Sequence, residues 1–561
     1  MKFDDILVRL GEFGYYQKRL YLLLCIPAIS TGCYMMMLIV AMQSPEHRCM
    51  INGYPNDTYD IQSDFHRHLV NATIPSSEAD STNKYDMCNT YSYLGGVNFS
   101  HITTLDKDSA SKVKCNKWVF DKSEFDETFA TQHGLLCDDS LKTSHSQMLF
   151  YVGVLAGDLG FGMLSDYIGR KKTFLITSIL LVASSVSAAF APEYYSFLVL
   201  EFIVGASIHG LFMVCCVHGL ELVGPNKRIW AGIVIHIFFA IGLCYLAGVG
   251  YLLRHWKWIQ LAVAIPCAIY MFYWWFIPES PRWLISQGRY DEAEEIMQKI
   301  AKVNKVETNE RFVDEKTLDA PEGGQLWHLF TNKVLFIRTM ILFFNWIVVS
   351  MVYYGVTMHA GKLSDSFFFG FFLMALVEFP AGAATIALLD RWGRQKLQCA
   401  CMLTAGIACL CTIFPVLFGG DDLMPLTLTL SMIGKFGAAA AFGVIYVFSL
   451  ELYPTVVRNG GMGASSCVAR FGGMAAPYVA QSGTLVDGKF GLALPLMIFG
   501  GASVAAGLLA LLLPETLERK LPETIEDAKT FGKPQKSPSK LTLRLDSSTT
   551  SFPSLENFTK L

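Results

Sequence analysis

Eight ionisable residues fall inside long apolar runs of the chain: Asp158, Glu201, Glu378, Lys435, Arg470, His209, His218 and His236. A charge at the centre of a bilayer costs about 2.5 kcal/mol or more, so groups of this kind face a partner or a water-filled path and are usually functional. Glu378 and Arg470 each lie mid-run and together supply one group of each sign. A cavity holding both suits a zwitterion, since a guanidinium can grip a carboxylate bidentately and aromatic faces attract quaternary ammonium. Asp158, set among glycines, is expected either to bind a cation or proton or to pair at its helix end, and Lys435 joins it as a candidate for ion coupling. The three histidines are spaced for a pH response or for satisfied places in the core. HExxH, GxSxG, Walker-loop and dinucleotide motifs are absent, and no CxxC pair suggests zinc. No catalytic, metal or cofactor site is therefore expected, and the driving force must be an ion, potential or substrate gradient.

The elements that must position these groups follow from composition. Of 561 residues, 52% are hydrophobic and 17% charged, too apolar for a soluble multidomain enzyme. The formal charge of -3, with no basic run interleaved with aromatics, excludes a nucleic-acid partner. The apolar excess is divided into runs of about 20 residues, the length that crosses the hydrocarbon layer as a helix, which disfavours a β-barrel. Twelve helices are predicted, over 20–42, 146–165, 173–191, 195–217, 229–252, 257–277, 335–357, 366–389, 397–418, 424–450, 459–481 and 490–513. An amphipathic segment (1–19) precedes them. The first half runs over 20–277 and includes a long outer loop (43–144), a charged helical linker follows (278–334), then the second half (335–513) and a polar tail (514–561) expected to be disordered.

Short loops rich in Lys and Arg stay in the cytoplasm. Arg170-Lys171-Lys172, Lys227-Arg228, Arg391-Arg394-Lys396 and Arg458 fall on one side, with both termini, leaving the long loop outside. That loop carries three sequons, at Asn56, Asn71 and Asn98, and four cysteines, Cys49, Cys88, Cys115 and Cys137. Glycosylation and two disulfides are expected there, with three pairings open. The last three residues, Thr559-Lys560-Leu561, fit a PDZ-domain ligand.

The chain also repeats itself. Asp166-Tyr167-Ile168-Gly169-Arg170 returns as Asp390-Arg391-Trp392-Gly393-Arg394, Glu221-Leu222 with Arg228 returns as Glu451-Leu452 with Arg458, and Pro278-Glu279-Ser280 returns as Pro514-Glu515-Thr516. Three paired motifs in one order at nearly constant offset mean two six-helix halves, the organisation of carriers that rock about a midplane site. Asp166 and Arg170, four residues apart, can pair with each other or with Glu221, Glu451, Arg228 and Arg458, closing a gate on the cytoplasmic side.

The stretch Gly162 to Lys171 resembles the signature loop of the major facilitator superfamily. Further segments narrow the resemblance to its organic cation, anion and zwitterion (solute carrier 22) branch, nearest the organic cation/carnitine subgroup: Pro45 to Cys49, Trp274 to Gly288, Gly434 to Gly437 and Glu451 to Asn459. The resemblance implies an all-α membrane protein with the major facilitator fold, in the plasma membrane. It also implies substrate contacts at His209, Phe212, His236, Phe239, Trp346, Tyr353, Glu378, Phe442 and Arg470. Strict cation carriers have aspartate at the Arg470 position, and anion carriers a lysine one turn past Glu378, where this chain has Ala381 and Gly382. The expected function is transport of organic cations or zwitterions such as carnitine. The alternative is an organic anion exchanger with Arg470 as the anion site.

Overall fold

The computed structural model describes residues 3–76, 85–92, 111–224, 227–306, 311–313, 327–360, 366–419, 423–486, 489–519 and 521–532. Asn98 and the Thr559 to Leu561 ending lie outside them.

The apolar runs form twelve long helices: α1 (Tyr15–Ala41), α2 (Leu141–Ile168), α3 (Arg170–Ala188), α4 (Tyr194–Leu222), α5 (Arg228–Leu253), α6 (Trp256–Trp275), α7 (Lys333–Ala360), α8 (Phe367–Trp392), α9 (Arg394–Phe418), α10 (Met424–Leu452), α11 (Arg458–Gln481) and α12 (Lys489–Ala510). Eleven are long and apolar enough to cross a membrane. The other, α11, is dominated by Gly, Ala and Ser. Those small residues let it approach closely: a Cβ at Gly472 would strike the Ile347 carbonyl on α7.

Two of the helices are not uniform, and proline accounts for both. In α6 the α-helical stretch Trp256–Ala264 continues as a 3-10 helix over Ile265–Trp275, because Pro266 has no N–H to donate one turn back. In α8 the stretch Phe367–Leu376 gives way at Val377 to Glu378–Trp392. Pro380 removes the hydrogen bond to the Leu376 carbonyl and its ring crowds that oxygen. Glu378 therefore lies mid-span, as its run suggests, beside this interruption and in the first turn of the segment that follows it.

Packing reproduces the duplication. In the first half α1 packs on α5, α2 on α4 and α3 on α6, and in the second α7 packs on α11, α8 on α10 and α9 on α12. Between the halves α2 meets α11 and α5 meets α8, which are again counterparts.

At one end of the bundle, the loop end, short strands His47–Cys49 and Trp118–Phe120 pair antiparallel, as do Asn89–Ser92 and Ser111–Lys114. Disulfides join Cys49 to Cys115 and Cys88 to Cys137. Arg48, Asp57 and His66 form the polar heart of this loop: Arg48 NH2 reaches Asp57 Oδ1 at 2.6 Å, and His66 Nε2 reaches the same oxygen at 3.0 Å. Burial disfavours the Asp57 charge, but hydrogen bonds from Arg48 and the Ile51 amide outweigh it and hold the carboxyl below the usual carboxylate range. Asn56 and Asn71 are exposed.

At the opposite, linker end, the N-terminal helix Phe3–Arg9 does not lie free. Its Phe3, Ile6 and Leu7 pack with Trp283, Leu284, Met297 and Ile300 of the helices Pro281–Ser286 and Tyr290–Asn304 in one buried cluster.

Candidate functional site

Three helices bring the first charged cluster together. A Cβ at Gly157 would strike the Ala206 carbonyl, so glycine there lets α2 and α4 approach. The next residue, Asp158, then meets His209, with Oδ1 hydrogen-bonded to the imidazole Nδ1. From α11, in the other half, Arg470 donates through Nε to Asp158 Oδ2 at 3.1 Å and lies with NH2 3.1 Å from His209 Nε2. All three side chains are buried.

A second cluster belongs to the C-terminal half. Lys435 on α10, fully buried in its run of small residues, reaches Glu378 Oε1 at 2.9 Å and donates to Thr357 Oγ1 at 3.0 Å. The Tyr353 hydroxyl donates to the same Glu378 oxygen, and the ammonium lies over the Tyr353 ring. Neither Glu378 nor Arg470 is thus an isolated charge: each has an internal counter-ion on an adjoining helix.

Aromatic rings connect the two clusters. Trp346 lies 4.6 Å from Tyr446 and 6.0 Å from Phe442, centroid to centroid, and Phe442 lies 5.5 Å from Tyr353. Tyr354 touches Tyr353 and, across the halves, Tyr151. The Trp346 indole N–H donates to Ser449 Oγ, which fixes the ring. Tyr446, Tyr354, Tyr151 and Thr357 were not singled out from sequence. Helical spacing could have found two of them, because Tyr446 follows Phe442, and Thr357 follows Tyr353, by four residues on the same helix face.

Of the remaining expected contacts, Phe212 is half-buried beside His209. His236 is exposed, bonds its own helix at the Gly232 carbonyl and approaches Tyr446 at 6.0 Å. Phe239 packs into the main core. Glu201 is buried with Gln260 Nε2 at 3.3 Å, and His218 lines a cavity of about 10 Å³ between α1, α3, α4 and α6.

At the linker end the two copies of the repeated motif fold alike. Arg170 pairs with Asp166 at 2.9 Å and Glu221 at 2.8 Å, and Arg394 pairs with Asp390 at 3.1 Å and Glu451 at 2.9 Å. Gly169 and Gly393 make the preceding turns with φ of 104° and 84°. A side chain there would also collide with Glu279 or Glu515, whose carboxylates accept from the Arg170 and Arg394 amides. Burial disfavours the Glu515 charge, yet the amides of Leu517, Arg394, Thr516 and Gln395 outweigh it and hold its carboxyl below the usual range. Two expected gate partners lie elsewhere. Arg228 pairs with Asp4 of the N-terminal helix at 2.6 Å, and Arg458 donates to the Tyr453 carbonyl.

Each of these linker-end clusters closes within its own half. Among the described residues, every hydrogen bond and ion pair that joins the halves lies at the midplane or loop end: Arg470 with Asp158 and His209, Ser144 with Pro477 and Gln481, His145 and Met148 with Tyr478, and Glu124 with the Phe367 amide. Polar contacts thus clasp the halves at the loop end, and among the described residues none joins them at the linker end.

The sequence matches the family described as "Sugar (and other) transporter" over residues 82–527. It is 39% identical over 545 residues to an organic cation transporter protein of Drosophila melanogaster, covering 95% of each chain. Human solute carrier family 22 member 2 is 32% identical over 553 residues, covering 96% of this chain and 97% of that one. This chain belongs to solute carrier family 22. The fold is that of the major facilitator superfamily: the inward-open xylose transporter of E. coli superposes with a TM-score of 0.59 at 15% identity, over 92% of this chain and 99% of that one. As a member of solute carrier family 22 the chain is a multi-pass membrane transporter and not an enzyme. Its paired midplane charges and aromatic wall stand where the fold's two halves meet.

Proposed function

We propose that this chain is a plasma-membrane carrier of small organic cations and zwitterions of the carnitine type, a quaternary ammonium joined to a carboxylate, moved by alternating access of the two halves. The observation that carries this reading is the aromatic row Trp346, Phe442 and Tyr353, with Glu378 bonded at one edge and Arg470 held across the halves. The rings and Glu378 fit the ammonium, by about 0.5 to 2 kcal/mol per well-placed ring, and Arg470 fits the carboxylate. Lys435 and Asp158 neutralise the empty site, so a substrate exchanges one ion pair for another and can leave again.

The named relatives support the cation half of this reading. Positive charge at the linker end supports a cytoplasmic place for both termini, and sequons with disulfides support an outer place for the loop. Labelled carnitine, tetraethylammonium and a dicarboxylate, each tested for uptake and counterflow in proteoliposomes, decide between substrates. Carnitine entry that internal unlabelled carnitine accelerates is expected. Uptake of the dicarboxylate alone overturns the reading in favour of anion exchange.

A further inference from the structure

Arg470 can only donate hydrogen bonds, so its approach to His209 Nε2 at 3.1 Å needs a lone pair on that nitrogen. The one ring proton then sits on Nδ1 and is donated to Asp158. In this arrangement the imidazole is neutral, and the cluster holds one carboxylate and one guanidinium.

Asp158 and His209 ride on α2 and α4 of the first half, and Arg470 rides on α11 of the second. Movement between the halves, or a ligand carboxylate that claims the guanidinium, takes the cation away. An enclosed carboxylate beside a neutral imidazole is left, and an unpaired buried charge is strongly unfavourable. The other titratable side chains facing the cluster are Tyr151 on α2, Cys216 on α4, Tyr354 on α7, Tyr446 on α10 and Cys467 on α11. None is a cation near neutral pH. Lys435 is engaged with Glu378. A proton from solvent, added to the vacated Nε2 lone pair, restores neutrality as an imidazolium paired with Asp158.

We propose that Asp158 and His209 form a proton-binding site that Arg470 and a proton occupy in turn, so that a carboxylate-bearing ligand binding at Arg470 brings one proton with it. The inference rests on the reading of Arg470 as the carboxylate site. A zwitterion that claims Arg470 therefore binds together with a proton, while a simple cation, which leaves Arg470 on Asp158, binds without one.

Calorimetric titration of the purified full-length chain with carnitine, repeated in buffers of different ionisation enthalpy, counts protons taken up per ligand bound. One is expected for carnitine near neutral pH and none for tetraethylammonium. His209→Gln, whose amide can bridge Asp158 and Arg470 but cannot take a proton, is expected to bind carnitine with none. Carnitine bound without a proton by the unaltered chain, or with one by His209→Gln, or tetraethylammonium bound with one, overturns the proton site and leaves the carrier reading standing. A chain that binds neither compound overturns the carrier reading. The proton site is then judged on the free protein by NMR of carbon-13-labelled histidine, with His209 assigned by its loss in His209→Gln. A neutral ring in the unaltered chain and an imidazolium in Arg470→Gln support it; a neutral ring in both proteins overturns it.

Discussion

Asp158, His209 and Arg470 hold one half of the bundle against the other, whereas Glu378, Lys435, Tyr353 and Thr357 hold three helices of a single half together. Rocking of rigid halves carries the second cluster along intact and must strain or break the first. The two sets of buried charge therefore respond differently to a movement between the halves: one changes with it, the other is carried along. The linker end shows the constant kind twice, since the Arg170 and Arg394 clusters are each complete within one half.

The sharpest way to break this comparison is Arg470→Gln. It deprives Asp158 of its guanidinium partner, a loss of up to about 3 to 5 kcal/mol for a broken buried pair, which a proton taken up by His209 offsets in part. Carnitine uptake in proteoliposomes is expected to fall by about 100-fold or more. Adding Asp158→Asn should raise the melting temperature above that of the single variant; a further drop would mean the two residues are not coupled. Glu378→Gln, in the cluster that does not change, is expected to raise the half-saturating carnitine concentration about tenfold, roughly 1.4 kcal/mol. Trp346→Leu should raise the half-saturating tetraethylammonium concentration about fivefold, the worth of ~1 kcal/mol of cation–π attraction. An unchanged value would place the cation elsewhere.

Effects at the ends should be smaller. Asp166 is 76% exposed in its pair with Arg170, and exposed pairs contribute about 0 to 1 kcal/mol. Asp166→Asn is therefore expected to lower the maximal rate only two- to fivefold (about 0.4 to 1 kcal/mol), with an unchanged amount at the membrane, and Asp390→Asn should match it. Normal transport by both variants would remove any gating role. In the loop, Asp57 titrates below the usual carboxylate range when folded, so the stability it contributes is present above that range and is lost as pH falls through its folded value. Limited proteolysis of the loop should quicken in acid for the unaltered chain, and show a smaller acid response in Asp57→Asn.

Much of this was legible in the chain itself. Runs of about 20 apolar residues, punctuated by Gly169 and Gly393 at matching turns, announce the helices and their duplication, because length and turn chemistry are local properties. Glu378 and Arg470 stood out for the same reason, as charges in apolar surroundings. So did Asp158, Lys435 and His209, but which of these groups pairs with which did not. Lys435 is 57 residues from Glu378 and Asp158 is 312 residues from Arg470, and no periodicity relates residues on different helices. The docking of Asp4 on Arg228, which withdraws that arginine from the expected gate, is equally non-local. Proline marks where α8 is interrupted, yet only the folded chain shows that Glu378 beside the interruption meets Lys435 and Tyr353.

The sequence by itself determined that this is a membrane protein of two six-helix repeats and which few ionisable groups enter the membrane, since both follow from the cost of burying backbone and charge in hydrocarbon. The tertiary structure alone decided how those charges pair. One carboxylate meets its cation within a half and the other across the halves, because counter-ions are chosen by which helices pack together, and that is a property of the whole fold.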